Sequence, residues 1–318
     1  MRTATIDGIR AARPIVAAHL PRTPTHSYPG LSDLVGTTLL VKHENHHAVG
    51  AFKVRGGTNL AATLDPDTSA AGLITASTGH HGQSIAFGGR LAQTAVLVAV
   101  PRRPNPSKVA AMRALGAEVI EIGDDFDDAR TWAMQEAARR GARFVGPTDP
   151  ELIEGVGTYA LEILEDVDDV DVVIVPVGAG SGAAATCMVM EAMAPHVEVI
   201  AVQASGAPAA YESWRTGEMV ESHMRTAADG LATRVPFANT QQVLRRCLTD
   251  FVLVSDDEMR RAALAYLRHA HTLVELAGAA SLAAALRLRD RLAGRRVVVV
   301  VSGANVAPAE LEEILAAG

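Results

Sequence analysis

Four stretches of this sequence hold residue types that could do chemistry together. Val41–Gly57, VKHENHHAVGAFKVRGG, is polar and glycine-bearing and carries one lysine, Lys53, between Phe52 and Val54. Fully solvated, such a lysine is a snorkelling surface cation. Partly desolvated, its amine has a lowered pKa and is a nucleophile able to form a Schiff base with a carbonyl. Ser77-Thr78-Gly79-His80-His81-Gly82-Gln83 follows an apolar run and opens a helical pattern, so its backbone N–H groups would face an anion at the helix start. Without a ligand, the same stretch is an N-cap turn. Gly178-Ala179-Gly180-Ser181-Gly182 follows Val172–Val177; its small residues let the backbone close on a phosphate, with the Ser181 hydroxyl as a further donor. Ser302, in Val301-Ser302-Gly303-Ala304-Asn305, is either a cap or a hydroxyl for a heteroaromatic nitrogen.

Such loops do chemistry when strands carry them, because open parallel sheets bind ligands beyond the strands' carboxyl ends. The pattern predicts strands at Leu39–Val41, Gly72–Ala76, Ala95–Val100, Glu118–Ile122, Arg143–Val145, Asp171–Val177, Glu198–Val202, Phe251–Val254 and Val297–Val301. Helices are predicted at Ile6–His19 (with Pro14 able to bend it), Thr58–Leu64, Gln83–Gln93, Ser107–Leu115, Phe126–Arg140 and Leu152–Leu164. Ser255 with Glu258 predicts a capping box for a helix through His269. Apolar strands alternating with helices argue for an α/β fold with parallel βαβ units.

Composition removes several functions. The net charge of −7 comes without a basic run, so nucleic acid and anionic membranes are poor partners. Lys108, Arg102 and Arg103 are the nearest to a basic cluster and read as a solvated face. The N-terminal segment lacks a signal peptide's apolar core, and no apolar run reaches membrane-spanning length, which implies a cytoplasmic protein. Cys187 and Cys247 lack metal-ligand spacing and read as buried free thiols. His43, His46 and His47 invite a metal reading, but no fourth ligand is visible; a polar wall of the site, with His46 or His47 lining a side pocket, competes with plain surface. Gly178, Gly180 and Ala183 satisfy a loose dinucleotide fingerprint, but the next strand ends at Gln203 where an acidic residue is required, which weakens a nicotinamide reading.

An amine, a phosphate cradle, an anion-binding helix start and a hydroxyl are what a pyridoxal phosphate site needs. GAFKVRGG, ASTGHHGQS, GAGSG and SGAN, in that order, resemble the fold-type II pyridoxal phosphate enzymes, of the tryptophan synthase β-like class. Within these the likeness is to the threonine/serine dehydratase and serine racemase branch. It runs from about Pro21 to Val306 and includes Ala228–Ala232 and Glu275–Ala279. The resemblance implies a two-domain fold, with 1–70 and 147–318 forming a large cofactor-binding domain and 71–146 a small inserted one. It implies that Lys53 holds pyridoxal 5'-phosphate and shuttles the Cα proton. Phe52 would sit against the ring, Gly178, Ala179, Gly180, Ser181 and Gly182 would bind the phosphate, and Ser302 would face the pyridine nitrogen. Ser77, Thr78, Gly79, His80 and His81 would bind the substrate carboxylate.

Three departures matter. His80 replaces the family's asparagine beside the cofactor's 3-hydroxyl. Thr78 stands where racemases carry the serine that serves as second-face acid/base. Gln203 and Ala209 replace the carboxylates of the racemase-type metal site, so no metal is expected. With the sequence ending at Gly318, the regulatory domain of biosynthetic threonine deaminases is not expected. The resemblance thus implies a homodimeric ammonia-lyase that converts a β-hydroxy-α-amino acid to a 2-oxo acid and ammonia. Threonine and serine are the default substrates, with phenylserine and 3-hydroxyaspartate as alternatives. An amino-acid racemase and a non-catalytic ligand-binding relative are the rivals.

Overall fold

The computed structural model describes residues 2–317. Among these the strands are β1 (Thr25–Ser27), β2 (Thr38–Lys42), β3 (Leu73–Ala76), β4 (Val96–Val100), β5 (Glu118–Glu121), β6 (Arg143–Phe144), β7 (Val172–Pro176), β8 (Glu198–Ala204), β9 (Asp250–Val254) and β10 (Arg296–Val300). They form two sheets, ordered β1-β2-β10-β7-β8-β9 and β5-β4-β3-β6. All pairs are parallel except β1 with β2, at a sheet edge. This is the α/β class that the alternating pattern predicts. No helix among the described residues is long and apolar enough to cross a membrane.

The chain falls into two compact units, Met1–Leu20 with Phe52–Thr158 and Pro21–Ala51 with Tyr159–Gly318. Borders at 70/71 and 146/147 divide it differently. Strands β3–β6 lie in the first unit, but the helices Ile6–His19, Val54–Thr63 and Pro150–Val156 go with them. In that unit Val96, Val98 and Val100 face Leu60, Ile85, Val109 and Met112. Leu97 and Ala99 face the other way, onto Ala129, Ala133 and Ala137 of the helix Phe126–Arg140. Both sheet faces are therefore covered, which is why these strands read as unbroken apolar runs.

Glycines bring the helices of this unit into backbone contact. A Cβ on Gly57 would lie 2.0 Å from Ser84 O, and one on Gly155 would lie 2.4 Å from Arg55 O. The helix expected from Thr58 therefore begins at Val54. Its two glycines weaken the local helix signal, yet they are what the packing requires. Similarly, the helix expected from Gln83 begins at His80. Leu152–Leu164 is interrupted at Gly157, giving Pro150–Val156 and Thr158–Asp166.

In the second unit Leu39, Val41, Val172, Ile174, Ile200, Val202, Val297 and Val299 share one core with the helices Asp256–His269 and Leu276–Arg287. The capping box is present: Ser255 Oγ accepts from Glu258 N at 3.2 Å, and the Glu258 carboxylate accepts from Ser255 N at 2.7 Å. Strand β8 continues to Ala204, so Gln203 lies inside it rather than at its end; there it is buried, with Oε1 accepting from Tyr211 N at 3.0 Å. Cys187 and Cys247 are both free, and only Cys187 is fully buried.

Gly57→Ala is expected to cost about 3 kcal/mol, since the new methyl meets backbone that cannot yield. Gly141→Ala, at φ 67° with open space around it, is expected to cost about 1 kcal/mol. Thermal unfolding of both variants checks this; equal melting temperatures would contradict the packing account.

Candidate active site

Lys53 opens the helix Val54–Thr63 in helical backbone geometry, with φ −62° and ψ −22°. Its carbonyl accepts from Ser84 Oγ, and Ser84 Oγ in turn accepts from Gly57 N at 3.1 Å. The helix His80–Ala92 thus fixes the lysine's main chain through Ser84. Nζ lies 5.0 Å from the centre of the Phe52 ring. Lys53 is only partly buried as a residue, but desolvation of its ammonium lowers the pKa to about 8. An appreciable fraction is then neutral near physiological pH, the state in which an amine attacks a carbonyl.

Strand β3 delivers Ser77–Gln83. The Ser77 hydroxyl oxygen accepts from Gly79 N at 3.0 Å and from Gly82 N at 2.8 Å, so it shapes the loop. This leaves the amides of Thr78 and His81 without an acceptor among the described residues, two donors that the loop can offer an anion. The His81 ring points into the protein, its Nε2 2.8 Å from Thr75 Oγ1 and 3.2 Å from Val145 O. Thr75 Oγ1 itself donates to Val145 O, which assigns the ring proton to Nε2. Burial first, then the charge of Lys53, hold this imidazole's pKa at about 3, so it is neutral. The His81 side chain braces the loop. Thr78 is exposed and His80 half-buried at the helix start.

In the second unit the loop after β7 closes against its neighbours. A Cβ on Gly178 would stand 2.2 Å from Gly230 O. Gly180 adopts φ 89°, a left-handed conformation that favours glycine. Thr240 Oγ1 donates to Ala179 O at 2.8 Å and holds the turn. Ser181 and Gly182 begin the helix Ser181–Met193, and Gly182 O accepts from Tyr159 OH at 3.0 Å. Loop amides at a helix start form an anion cradle.

The contacts run on from there. A Cβ on Gly230 would meet Ala277 at 2.9 Å, and one on Gly278 would meet Gly303 O at 2.4 Å. The motifs Gly178–Gly182, Ala228–Ala232, Glu275–Ala279 and Ser302–Asn305 are thereby contiguous, with Ser302 buried behind β10. Ala304 N donates to Gly50 O at 2.9 Å and Asn305 Nδ2 to Val49 O at 3.0 Å. Asn305 therefore positions the segment immediately before Phe52-Lys53. Its motif is visible in the sequence; this function is not, because the partner is a main-chain atom 256 residues away.

The histidines preceding Lys53 face other parts of the second unit. His43 stacks on His46 with 4.5 Å between ring centres, and its Nε2 lies 2.9 Å from Tyr28 OH. Burial, then the neighbouring His46 and His26, lower the His43 pKa to about 4. His47 is fully buried, its Nε2 3.4 Å from Glu44 Oε2. Among the described residues, no three His, Cys, Asp or Glu side chains are grouped so as to hold a metal ion.

The desolvated amine of the first unit suits a carbonyl, and the loop of the second, with no room for a Cβ, suits a phosphate. Capture of added pyridoxal phosphate by Lys53, followed by absorbance on cofactor-free protein, is expected to accelerate with pH and level off above about 8. A rate still rising towards the ordinary lysine value of 10.5 would contradict the desolvation. Gly178→Ala is expected to weaken retention of the cofactor roughly tenfold or more, because the methyl must first displace the Gly230 backbone. Equilibrium dialysis measures this, and unchanged affinity would contradict the cradle.

The sequence model of the pyridoxal-phosphate dependent enzyme family matches residues 16–303. The L-threonine ammonia-lyase of Geobacter sulfurreducens is 38% identical over 277 residues, covering 86% of this chain and 69% of that protein. The beta-hydroxyaspartate dehydratase of Paracoccus denitrificans is 32% identical over 305 residues, 95% of this chain and 96% of the other. The structure is similar to that of maize serine racemase, with a TM-score of 0.93 at 28% identity, covering 99% and 98% of the two chains. The chain belongs to the pyridoxal-phosphate dependent enzymes, and pyridoxal phosphate is its cofactor.

Proposed function

We propose that this enzyme is an ammonia-lyase that takes a β-hydroxy-α-amino acid to a 2-oxo acid and ammonia. The observation that carries the reading is the desolvated Lys53, pinned through Ser84 at the start of its helix. Similarity to an L-threonine ammonia-lyase and a beta-hydroxyaspartate dehydratase supports it.

When bound, pyridoxal phosphate supplies a ring that draws electron density from the substrate's Cα. Lys53 is the residue that would hold its carbonyl carbon, and Gly178–Gly182 would hold its phosphate. Phe52 would lie against the ring, with His80 serving the 3-hydroxyl in place of an asparagine. With its amine free and neutral, Lys53 Nζ would take up the Cα proton. The amides of Thr78 and His81 hold the substrate's carboxylate, in a loop shaped by Ser77 and Gly79. The Ser302 hydroxyl would face the ring nitrogen; unlike a carboxylate it would not stabilise a proton there, which would favour loss of the β-hydroxyl over long-lived carbanion chemistry.

Thr78 is the one observation that keeps a racemase in second place. Its exposed hydroxyl is a candidate acid/base for the opposite face of Cα, and its methyl group makes it less suited to that than serine. Threonine and serine are the first substrates of this proposal, with 3-hydroxyaspartate and phenylserine as rivals. A cytoplasmic homodimer completes it, as the family resemblance implies.

Assay of 2-oxo acid from L-threonine, L-serine, 3-hydroxyaspartate and L-threo-phenylserine tests the reading. At least one should be turned over, and Lys53→Ala should lose roughly 10³-fold or more of that activity. Formation of the D-amino acid without 2-oxo acid would establish the racemase instead.

A further inference from the structure

The chain has two cysteines, and the fold brings them together: the thiols of Cys187 and Cys247 are in side-chain hydrogen-bond contact. Cys187 lies on the helix Ser181–Met193 and Cys247 ends the helix Ala238–Cys247, both in the second unit. Neither sulfur is bonded to another. Cys187 is fully buried; burial first, then the contact with Cys247, push its thiol up, so it rests protonated. Cys247 is only partly buried and lies nearer to solvent. Among the described residues no three His, Cys, Asp or Glu side chains are grouped to hold a metal ion. Oxidation is then the chemistry that two touching thiols share.

The same two helices carry the proposed phosphate loop. At their first turns Thr240 Oγ1 donates to Ala179 O at 2.8 Å, and a Cβ on Gly180 would lie 3.0 Å from the same hydroxyl oxygen. Further along, Arg246 holds Glu191 by two hydrogen bonds, of 2.9 and 2.8 Å. Along the helix Ser181–Met193, Cys187 falls between these two fastenings.

We propose that Cys187 and Cys247 are a reversible thiol–disulfide pair, oxidised by hydroperoxides, whose closure weakens the hold of Gly178–Gly182 on the cofactor's phosphate. The Cys247 sulfur attacks one peroxide oxygen; its S–O bond forms as the O–O bond breaks, and the departing hydroxide takes the thiol proton as water. The Cys187 sulfur then attacks Cys247. The S–S bond forms as the S–O bond breaks, and the hydroxide released takes the Cys187 proton as a second water. Two thiols thus lose two electrons and two protons, and hydrogen peroxide becomes two waters. Touching thiols can be bridged with little backbone movement, and in a reducing compartment such bridges are transient and redox-sensing. The link to the cofactor follows from the packing: the bond draws the helices together, and Gly180 has no slack against Thr240. It rests on the assignment of this loop to the phosphate and on no choice of substrate.

The test treats reduced holoenzyme with hydrogen peroxide, quenches by alkylation and digests without reductant; equilibrium dialysis measures pyridoxal phosphate affinity before and after oxidation. Mass spectrometry should find the peptides of Cys187 and Cys247 joined, with dithiothreitol releasing both. Oxidation should raise the cofactor Kd about threefold or more, with recovery on reduction and no change in Cys247→Ser. Cys187→Ala serves if Cys247→Ser does not fold. Two alkylatable thiols after treatment, or a Cys247 that stops at a sulfinic or sulfonic acid, would overturn the pair. So would a bridge between two copies of the chain. A joined pair with unchanged Kd would overturn the link to the phosphate loop. A Kd that also rises in the variant would overturn it by assigning the effect to other targets, such as the nine methionines. Neither readout uses turnover, so failure of the ammonia-lyase reading is distinguishable from failure of this one.

Discussion

A lysine that is to be neutral near pH 8 must keep its amine out of water while its main chain is held still. In this protein the second demand is met at the contact between Gly57 and Ser84. The Ser84 hydroxyl takes the Gly57 amide and gives its proton to the Lys53 carbonyl. With no side chain on Gly57, the helices Val54–Thr63 and His80–Ala92 approach to backbone distance. The start of one helix presents the proposed nucleophile and the start of the other presents the proposed carboxylate loop. Their relative placement is therefore set by one glycine and one hydroxyl.

The second unit uses the same device for a different purpose. From Gly178 to Gly230, Ala277, Gly278 and Gly303, consecutive close approaches place four short motifs side by side. None of these contacts could survive an added side chain without backbone movement. The result is a closely packed loop at the start of the helix Ser181–Met193, the proposed anion cradle, with Ser302 buried at the end of the neighbouring strand. Rigidity matters because amides already aimed at a phosphate cost no reorganisation when it arrives. Asn305 extends the order to Val49, in the segment of chain that leads to Lys53.

Much of this is legible in the sequence because it depends on local pattern. Apolar runs mark the strands, Ser255 and Glu258 mark a helix start, and Lys53 stands out by its apolar flanks among glycines. What is illegible depends on partners far along the chain. Gly56 and Gly57 look like helix breakers until Leu152 and Ser84 are seen against them. Ser77–His81 reads as a backbone anion loop, but nothing in its pattern tells that the Ser77 hydroxyl caps the loop or that the His81 ring turns inward to Thr75 and Val145. Strand β1 has three residues and no apolar alternation, so nothing in its composition announces it. Lys108 reads as surface, yet it is buried; burial of a single lysine leaves no periodic trace.

The scarcity of lysine makes the central assignment unusually direct to test. Reducing the cofactor-loaded protein with borohydride fixes pyridoxal phosphate to whichever amine holds it, and peptide mass spectrometry then has three lysines to distinguish. If Lys53 is the anchor, the pyridoxyl group falls on the peptide containing Lys53 and on neither of those containing Lys42 and Lys108. A label on either of the latter, or no label at all on protein that has retained the cofactor, would contradict that assignment.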